Sequence, residues 1–270
     1  MSTLREYVAA TGGRLYLVAR YPDFECEVDV PAMADLAAHL VRRRTFRVAW
    51  QNQRTRQLVH VGSLEFTGHE HVFSYTVEAS THPDFEPFPA FPNFDETYRS
   101  EQLFPFFAGR VPEAAKTTYD SVRSALGLSR VEATPIELLA RTWGATPHDT
   151  LQVVPTPVRE GDREIVSFLV SGVRHADEAD SRVGERVAQL PKGHHLEIKD
   201  EPDNPNNPNA ILIEDSELTL GWVPDYMVDE VHKLRDAGND VVVAVEQANG
   251  PETPWHLRLL CRLEVSSVEG

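Results

Sequence analysis

A segment rich in asparagine, aspartate and proline, residues 201–209, lies between two strand-like runs, residues 196–200 and 210–213. Proline fixes φ, and Asn and Asp side chains bond to the backbone that follows them, so such a segment sets an irregular turn. An amide-rich turn can also present donors and acceptors to a ligand, and the residues leave both interpretations open. A block containing Gly, Trp and Pro follows at residues 220–224. We therefore expect strands on both sides of the turn.

The composition is typical of a globular protein, with 270 residues, 41% of them hydrophobic and 25% charged. This length is comfortable for two domains. No apolar run approaches the ~20 residues of a membrane helix, and the N-terminus lacks the basic and apolar regions of a secretory signal. The two cysteines, Cys26 and Cys261, are too few for a four-cysteine zinc site and are expected to be reduced. We expect a cytoplasmic protein.

The acidic charge constrains the partners. The formal net charge is −16. Residues 1–157 hold 15 Lys or Arg and 19 Asp or Glu, a net of −4, whereas residues 158–270 hold 11 and 23, a net of −12. Nucleic-acid binding takes most of its affinity from cations that neutralise phosphates. A second half this acidic repels a phosphate backbone unless its few cations cluster.

Alternation of apolar residues and turn signals predict an α+β chain of two domains. The predicted strands are residues 15–19, 26–30, 46–50, 58–61, 72–77, 151–154 and 210–213, and the predicted helices are residues 32–43, 113–126, 135–142 and 225–237. Gly127 and Gly144 are the expected C-caps of the second and third helices. Residues 81–92, rich in Pro and Phe, predict an irregular loop, and residues 155–161 a linker.

Blocks of the first half carry a family resemblance. The sequences Gly-Ser-Leu-Glu-Phe at 62–66, Leu-Phe-Pro-Phe-Phe at 103–107 and Pro-Ile-Glu-Leu-Leu at 135–139 resemble the N-terminal subdomain of HipA-type proteins. In that family the small α/β unit precedes a kinase body and takes part in contacts with an antitoxin partner. The resemblance covers about residues 47–155. The chain has no phosphate-cradling Gly-rich loop and no catalytic-loop Asp–Asn pattern, so we expect no kinase activity.

The second half carries another resemblance. Glu-Pro-Asp-Asn-Pro at 201–205, Asn-Ala-Ile at 209–211 and Leu-Gly-Trp-Val-Pro at 220–224 resemble, in this order, the signature of HIRAN domains. The resemblance runs from about residue 165 to residue 263. It implies a modified OB-type β-barrel with one helix. The expected organisation is a HipA-N-like domain at residues 1–157 followed by a HIRAN-like domain at residues 163–270.

The HIRAN resemblance also implies a site. In HIRAN domains fused to remodellers, an Arg-Tyr pair on the first strand and a Tyr-Asp pair in the Asn-Pro loop capture the 3′ end of single-stranded DNA. On this sequence the pairs fall on Arg174 and His175 and on Asn206 and Asn207, so both tyrosines and the aspartate are replaced. Base stacking contributes ~1–3 kcal/mol per base, and His175 recovers part of one such contact. The candidate residues are Arg174, His175, Asn204, Asn206, Asn207 and Asn209; alternatively, the asparagines only set the turn.

A basic stretch without acids lies between Asp35 and Glu65. It can bind phosphates or an acidic partner, decorate a helix C-terminus, or dock onto the acidic half of the same or a second chain. Its residues are Arg42, Arg43, Arg44, Arg47, Arg54 and Arg56.

Catalytic and metal sites have little support in the sequence. His69 and His71 have the spacing of one strand face, but no Cys pair or HExxH helix accompanies them. Neither cysteine lies beside a histidine, and no other nucleophile arrangement stands out. We expect no enzyme activity, no metal and no cofactor. The Phe-Pro stretch at residues 85–94 is a short ligand for a partner's groove or, as we favour, a cover for a small sheet.

The sequence thus favours a non-enzymatic HIRAN-type binding protein that recognises nucleic-acid ends, such as the 3′ end of single-stranded DNA. The expected setting is bacterial DNA metabolism, defence or a toxin–antitoxin system. The alternative is an acidic protein–protein adaptor or antitoxin-like partner of a basic or kinase-like protein. The sequence leaves open whether the chain forms a homo-oligomer.

Overall fold

The computed structural model describes residues 16–21, 24–29, 43–113, 116, 118–144 and 150–266. Within them the chain forms a two-stranded hairpin, a five-stranded sheet and a seven-stranded sheet, all with antiparallel pairing. The predicted α+β class is confirmed. The predicted helix at residues 32–43 lies outside the described residues except for Arg43, which is irregular.

The first half contains the hairpin and the five-stranded sheet. The hairpin pairs β1 (Tyr16–Tyr21) with β2 (Phe24–Asp29). The sheet strands are β3 (Arg44–Gln51), β4 (Leu58–Phe66), β5 (His71–Tyr75), β6 (Tyr98–Ser100) and β7 (Leu151–Pro155). Their order is β6-β5-β4-β3-β7. Successive strand residues point to opposite faces, and Phe46 and Val48 on β3 are fully buried.

In the part of this half that the structure describes, four helices accompany the sheet: α1 (Val77–Thr81), α2 (Pro105–Ala108), α3 (Tyr119–Ala125) and α4 (Pro135–Thr142). Helix α4 has its predicted bounds, because the Thr134 side chain accepts a bond from the Glu137 N–H and Pro135 fits the first turn. Trp143 and Gly144 then adopt positive φ values of 56° and 57°. Helix α3 is shorter than predicted, and Gly127 follows it with φ 66°.

The Phe-Pro loop folds back onto this sheet, as we favoured. The Tyr75 hydroxyl donates to the Phe91 carbonyl at 2.9 Å and accepts from the Phe88 N–H at 2.6 Å. Burial raises the pKa of Tyr75 to about 12, so the phenol keeps its proton in neutral solution. The buried Phe91 ring packs on Phe73, with centroids 4.3 Å apart. These contacts fix the loop as a wall of the first half.

The second half is built on the seven-stranded sheet. Its strands are β8 (Val158–Glu160), β9 (Arg163–Leu169), β10 (His195–Asp200), β11 (Ile211–Asp215), β12 (Leu218–Trp222), β13 (Asp240–Ala248) and β14 (Leu259–Ser266). The order β12-β11-β10-β13-β14-β9-β8 leaves two ends, so the expected closed barrel is wrong. Ser171, just beyond β9, exchanges two backbone hydrogen bonds of 2.9 Å with Trp222, and in the described chain this isolated bridge joins β12 to the β9 side.

The expected single helix of this half is also wrong. The described residues contain α5 (Val173–Ala179), α6 (Arg182–Gln189) and α7 (Asp225–Asp236), with a 3₁₀ turn at Trp255–Leu257. Helix α6 buries Val183 and Val187, which are one helical turn apart, so it covers the apolar face of the sheet. Among the described helices, none has the length and apolar composition needed to cross a bilayer.

The two halves pack against each other. The predicted linker contains the end of β7 and all of β8, so Thr156 and Pro157 connect the two sheets. The Trp143 indole donates to the Ser167 carbonyl at 3.1 Å, and Arg141 pairs with Glu246 at 2.5 Å. A hydrophobic cluster also crosses the junction, with Leu257 among residues of α3 and α4. The two halves are therefore joined by polar and apolar contacts.

Candidate recognition site

The amide-rich turn is fixed by its own side chains. The Asn204 side-chain oxygen accepts from the N–H groups of Asn206 and Asn207 at 2.9 and 3.1 Å. The Asn207 side-chain oxygen accepts from the Asn209 N–H at 3.0 Å. Asparagine bonds of this kind replace a regular backbone turn. The turn-setting interpretation of Asn204 and Asn207 is thus correct, and the side chain of Asn206 stays exposed.

The turn is anchored to its neighbours by polar contacts. The Asn204 amide donates to a Glu201 carboxylate oxygen at 2.5 Å, and the Trp222 indole donates to the same oxygen at 2.7 Å. The Asn207 amide donates to Asp225, the first residue of α7, at 3.0 Å. These bonds connect the turn to β12 and α7, so the turn is held in one orientation.

Arg174 and His175 lie on α5, whereas the family pattern placed them on a strand. Gly172 caps this helix with φ 71°, which ends the extended segment before Arg174. Both side chains share the Glu178 carboxylate, Arg174 at 3.1 Å and His175 at 3.2 Å. Arg174 is 59% exposed and His175 69%. Exposed pairs at this helical spacing contribute ~0.3–0.5 kcal/mol, so a ligand can displace Glu178 easily.

Trp222 connects the start of α5 to the amide-rich turn. A Cβ atom on Gly172 would lie 2.5 Å from the Trp222 ring, so that position requires glycine for both space and φ. On its other side the Trp222 indole bonds to Glu201, which also holds Asn204. Trp222 therefore links the asparagine turn to the start of α5, two residues before Arg174. The candidate site consists of Arg174, His175, Trp222 and the asparagine turn. We call these residues the recognition site.

The basic stretch does not form one free cationic patch. Arg44 makes a two-pronged ion pair with Glu137, with bonds of 2.7 and 2.8 Å, and Arg54 pairs with Asp84 at 2.5 Å. Arg42 lies outside the described residues. The other three residues, Arg43, Arg47 and Arg56, are exposed.

Arg47 is close to the second half. Burial raises the pKa of Tyr226 on α7, and the neighbouring Arg47 guanidinium opposes that shift. Arg56 has φ 63° in the turn between β3 and β4, where its N–H donates to the Asn52 carbonyl at 2.8 Å. The arginines of the basic stretch therefore have different environments. Arg56 lies in a turn, Arg44 and Arg54 are in ion pairs, and Arg47 neighbours Tyr226 of the second half.

Several residues of the site escaped the sequence reasoning. Glu201 and Trp222 belong to the blocks that carry the HIRAN resemblance, which gives them no role in the site, and Glu178 and Asp225 lie outside those blocks. Asp225 gave no signal because its partner Asn207 lies on another element, 18 residues away.

The histidines that we considered for a metal separate in the structure. His71 is buried against Phe66, with ring centroids 4.8 Å apart, and burial lowers its pKa. His69 is exposed in the turn before β5. The described residues contain no group of three or more His, Cys, Asp or Glu side chains that could hold a metal ion. Cys261 is a free, buried thiol whose pKa is raised by burial.

Comparisons with known proteins agree in part with the two resemblances. A family described as the HipA N-terminal domain matches residues 55–147. No curated protein matches the chain. A solved protein from Lactobacillus plantarum is 20% identical over 38% of this chain and 96% of its own, with a TM-score of 0.30. The HIRAN domain of human HLTF is 12% identical over 40% of this chain and 80% of its own, with a TM-score of 0.27. The similarity to HipA N-terminal domains thus covers part of the first half, and that to the HIRAN domain is weak.

Proposed function

We propose that this protein is a non-enzymatic binding protein whose recognition site contacts the end of a nucleic-acid strand, with the 3′ end of single-stranded DNA as the first candidate. The observation that carries the proposal is the arrangement around Trp222. The ring lies against Gly172 at the start of α5, the helix that carries the exposed Arg174 and His175. Its indole is bonded to Glu201, the carboxylate that also holds the rigid amide turn.

Each residue has a role in this proposal. The Arg174 guanidinium leaves Glu178 and binds a phosphate, and the exposed His175 ring stacks on the terminal base. The Asn206 amide donates to or accepts from the terminal hydroxyl. Stacking and charged hydrogen bonds contribute ~1–3 kcal/mol each. A preformed turn adds little ordering cost, because its side chains are already bonded to Asp225 and Glu201.

The charge of the second half favours binding of a strand end over binding along many successive phosphates. Six of the 11 Lys and Arg residues in the second half are paired with carboxylates of the same half. Few cations remain to neutralise successive phosphates. Binding to single strands loses affinity with salt at a slope of about −0.7 per neutralised phosphate. We expect a slope of about −1 or shallower, as for one phosphate contact at a strand end.

The test uses labelled single strands of one sequence, linear with a 3′-hydroxyl, linear with a 3′-phosphate, and circular. We expect the linear 3′-hydroxyl strand to bind most tightly, with Arg174→Ala weakening it about tenfold, or ~1.4 kcal/mol. Arg182→Ala is the matched control, because Arg182 is an exposed arginine that pairs with Asp180 at 2.5 Å on the same half. Equal binding of the circular strand, or no binding below ~10⁻⁴ M, would exclude end recognition.

A second candidate is an acidic protein–protein adaptor or antitoxin-like partner. The composition of the second half supports it, because 23 Asp or Glu against 11 Lys or Arg give residues 158–270 a net charge of −12. Such a surface suits a basic or kinase-like protein, in a setting of bacterial DNA metabolism, defence or toxin–antitoxin control.

Affinity purification from the organism that encodes the chain tests the adaptor. A basic partner should co-purify, and Glu230→Lys on the exposed face of α7 should weaken that complex at low salt. Arg43→Glu tests whether the basic stretch contributes. Arg44 is unsuitable for this purpose, because its loss leaves Glu137 without its partner. Co-purification that neither reversal weakens would argue against an electrostatic adaptor.

A further inference from the structure

The first half carries a groove that the proposed function does not use. It has a cavity volume of about 580 Å³, within the ~300–1,000 Å³ range of ligand clefts. Its apolar lining residues include Trp50, Phe85, Phe88, Phe106, Pro83 and Pro87, which we call the aromatic groove. We propose that the aromatic groove binds an extended, proline-containing peptide segment that carries a basic side chain.

The groove is lined by apolar side chains from β3, β7 and the Phe-Pro loop. Trp50 on β3 and Leu151 on β7 are directly paired across the sheet and, with Phe85, form the floor. Phe85 and Leu151 are buried, whereas Trp50 and Phe88 are half-buried. The ring of Phe88 lies 4.8 Å from that of Phe106. Aromatic grooves of this kind bind proline-rich segments, since a polyproline helix is already extended and has little entropy to lose.

The groove is preorganised. Its Phe-Pro wall is held by the bond from the Phe88 N–H to Tyr75 at 2.6 Å. At the rim, Asp84 accepts from the buried Asn52 amide at 2.9 Å and from Arg54 at 2.5 Å. A wall that is already fixed loses little conformational freedom when a ligand binds. The free protein therefore presents the groove in its binding conformation.

The negative charge that a bound segment meets in the groove lining is that of Glu86, because Asp84 is already paired with Arg54. Bonds from Arg54 and then Asn52 lower the pKa of Asp84, so this carboxylate is ionised at neutral pH. Glu86 lines the groove beside it and is exposed. Arg110, which also lines the groove, donates to the Gly144 carbonyl at 3.1 Å. An arginine or lysine of the segment can thus approach Glu86, and the net charge of −16 attracts it from a distance.

The experiment compares three synthetic decapeptides by calorimetry and tryptophan fluorescence. The first contains two prolines and two arginines, the second has glutamates in place of the arginines, and the third has alanines in place of the prolines. We expect the first to bind, and each of the others to bind about tenfold more weakly or not at all. Trp50→Phe should abolish the fluorescence change, because Trp50 is the indole in the groove.

Two charge reversals distinguish a direct contact in the groove from long-range attraction by the negative net charge of the protein. Glu86→Lys should weaken the arginine peptide about fivefold. Glu96→Lys, at another exposed acid of the first half outside the groove lining, should leave its affinity unchanged. No binding of the arginine peptide up to about 1 mM, or equal weakening by both reversals, would overturn the proposal. The oligonucleotide tests depend on Arg174, so either proposal can fail alone.

Discussion

Gly172 gives the most direct test of how the recognition site is held. In Gly172→Ala the new Cβ meets the Trp222 ring at 2.5 Å, at a φ of +71°. Left-handed backbone costs a residue with a Cβ ~1–2 kcal/mol, and overpacking costs ~1–3 kcal/mol more. We expect the free energy of unfolding to fall by ~2–5 kcal/mol in urea titrations. The displaced ring should also weaken oligonucleotide binding, because it is bonded to Glu201.

Gly161→Ala separates the two costs. Gly161 has nearly the same φ, +66°, but its Cβ would have nothing within 4 Å. This variant should lose only the backbone contribution of ~1–2 kcal/mol and keep oligonucleotide affinity. The two unfolding free energies should therefore differ by ~1–3 kcal/mol. Equal losses in both variants would mean that Trp222 moves aside freely and does not connect the turn to α5.

Two further predictions concern carboxylates. Glu178→Gln should strengthen binding of the linear 3′-hydroxyl strand about threefold, because it frees the site's arginine and removes a charge that repels phosphate; fluorescence anisotropy measures this, and weaker binding would contradict it. Asp215 is buried, and its pKa is lowered, first by the bond from Arg186 and also by that from His194. Its contribution to stability is therefore complete above its unfolded pKa of ~3.9 and is lost as the pH falls through the lower folded value. In urea titrations from about pH 6 to pH 3, the free energy of unfolding should fall less for Asp215→Asn than for the wild type. An equal fall in both proteins would refute this.

Local signals predicted much of the first half. Pro135 and Gly144 mark the bounds of α4 because a preset φ and a positive φ are each properties of single residues. The strands from β3 to β5 followed from alternation. In the second half, Val183 and Val187 have the i, i+4 spacing of one helix face, but the expectation of a barrel with one helix left out α6.

Contacts between residues far apart in the chain could not be predicted from the sequence. The pair of Arg44 and Glu137 spans 93 positions, so a run of arginines could not show that one of them was already neutralised. Likewise, the closeness of Trp222 to Gly172 depends on the backbone bridge between Ser171 and Trp222, 51 positions apart. A strand pattern specifies which faces are apolar, but it does not specify whether the sheet closes.

The packing at the junction has a consequence for how the protein meets its ligands. The Asn249 amide donates to the Ala125 carbonyl at 2.8 Å, and Leu126 of the first half lies in one cluster with Leu257 of the second. Cutting the chain at Thr156 would expose these apolar surfaces, so each half is best studied by point substitution. The span between the aromatic groove and the recognition site is then set by the fold. A partner that occupies both gains a high effective concentration only if its own spacing matches that distance.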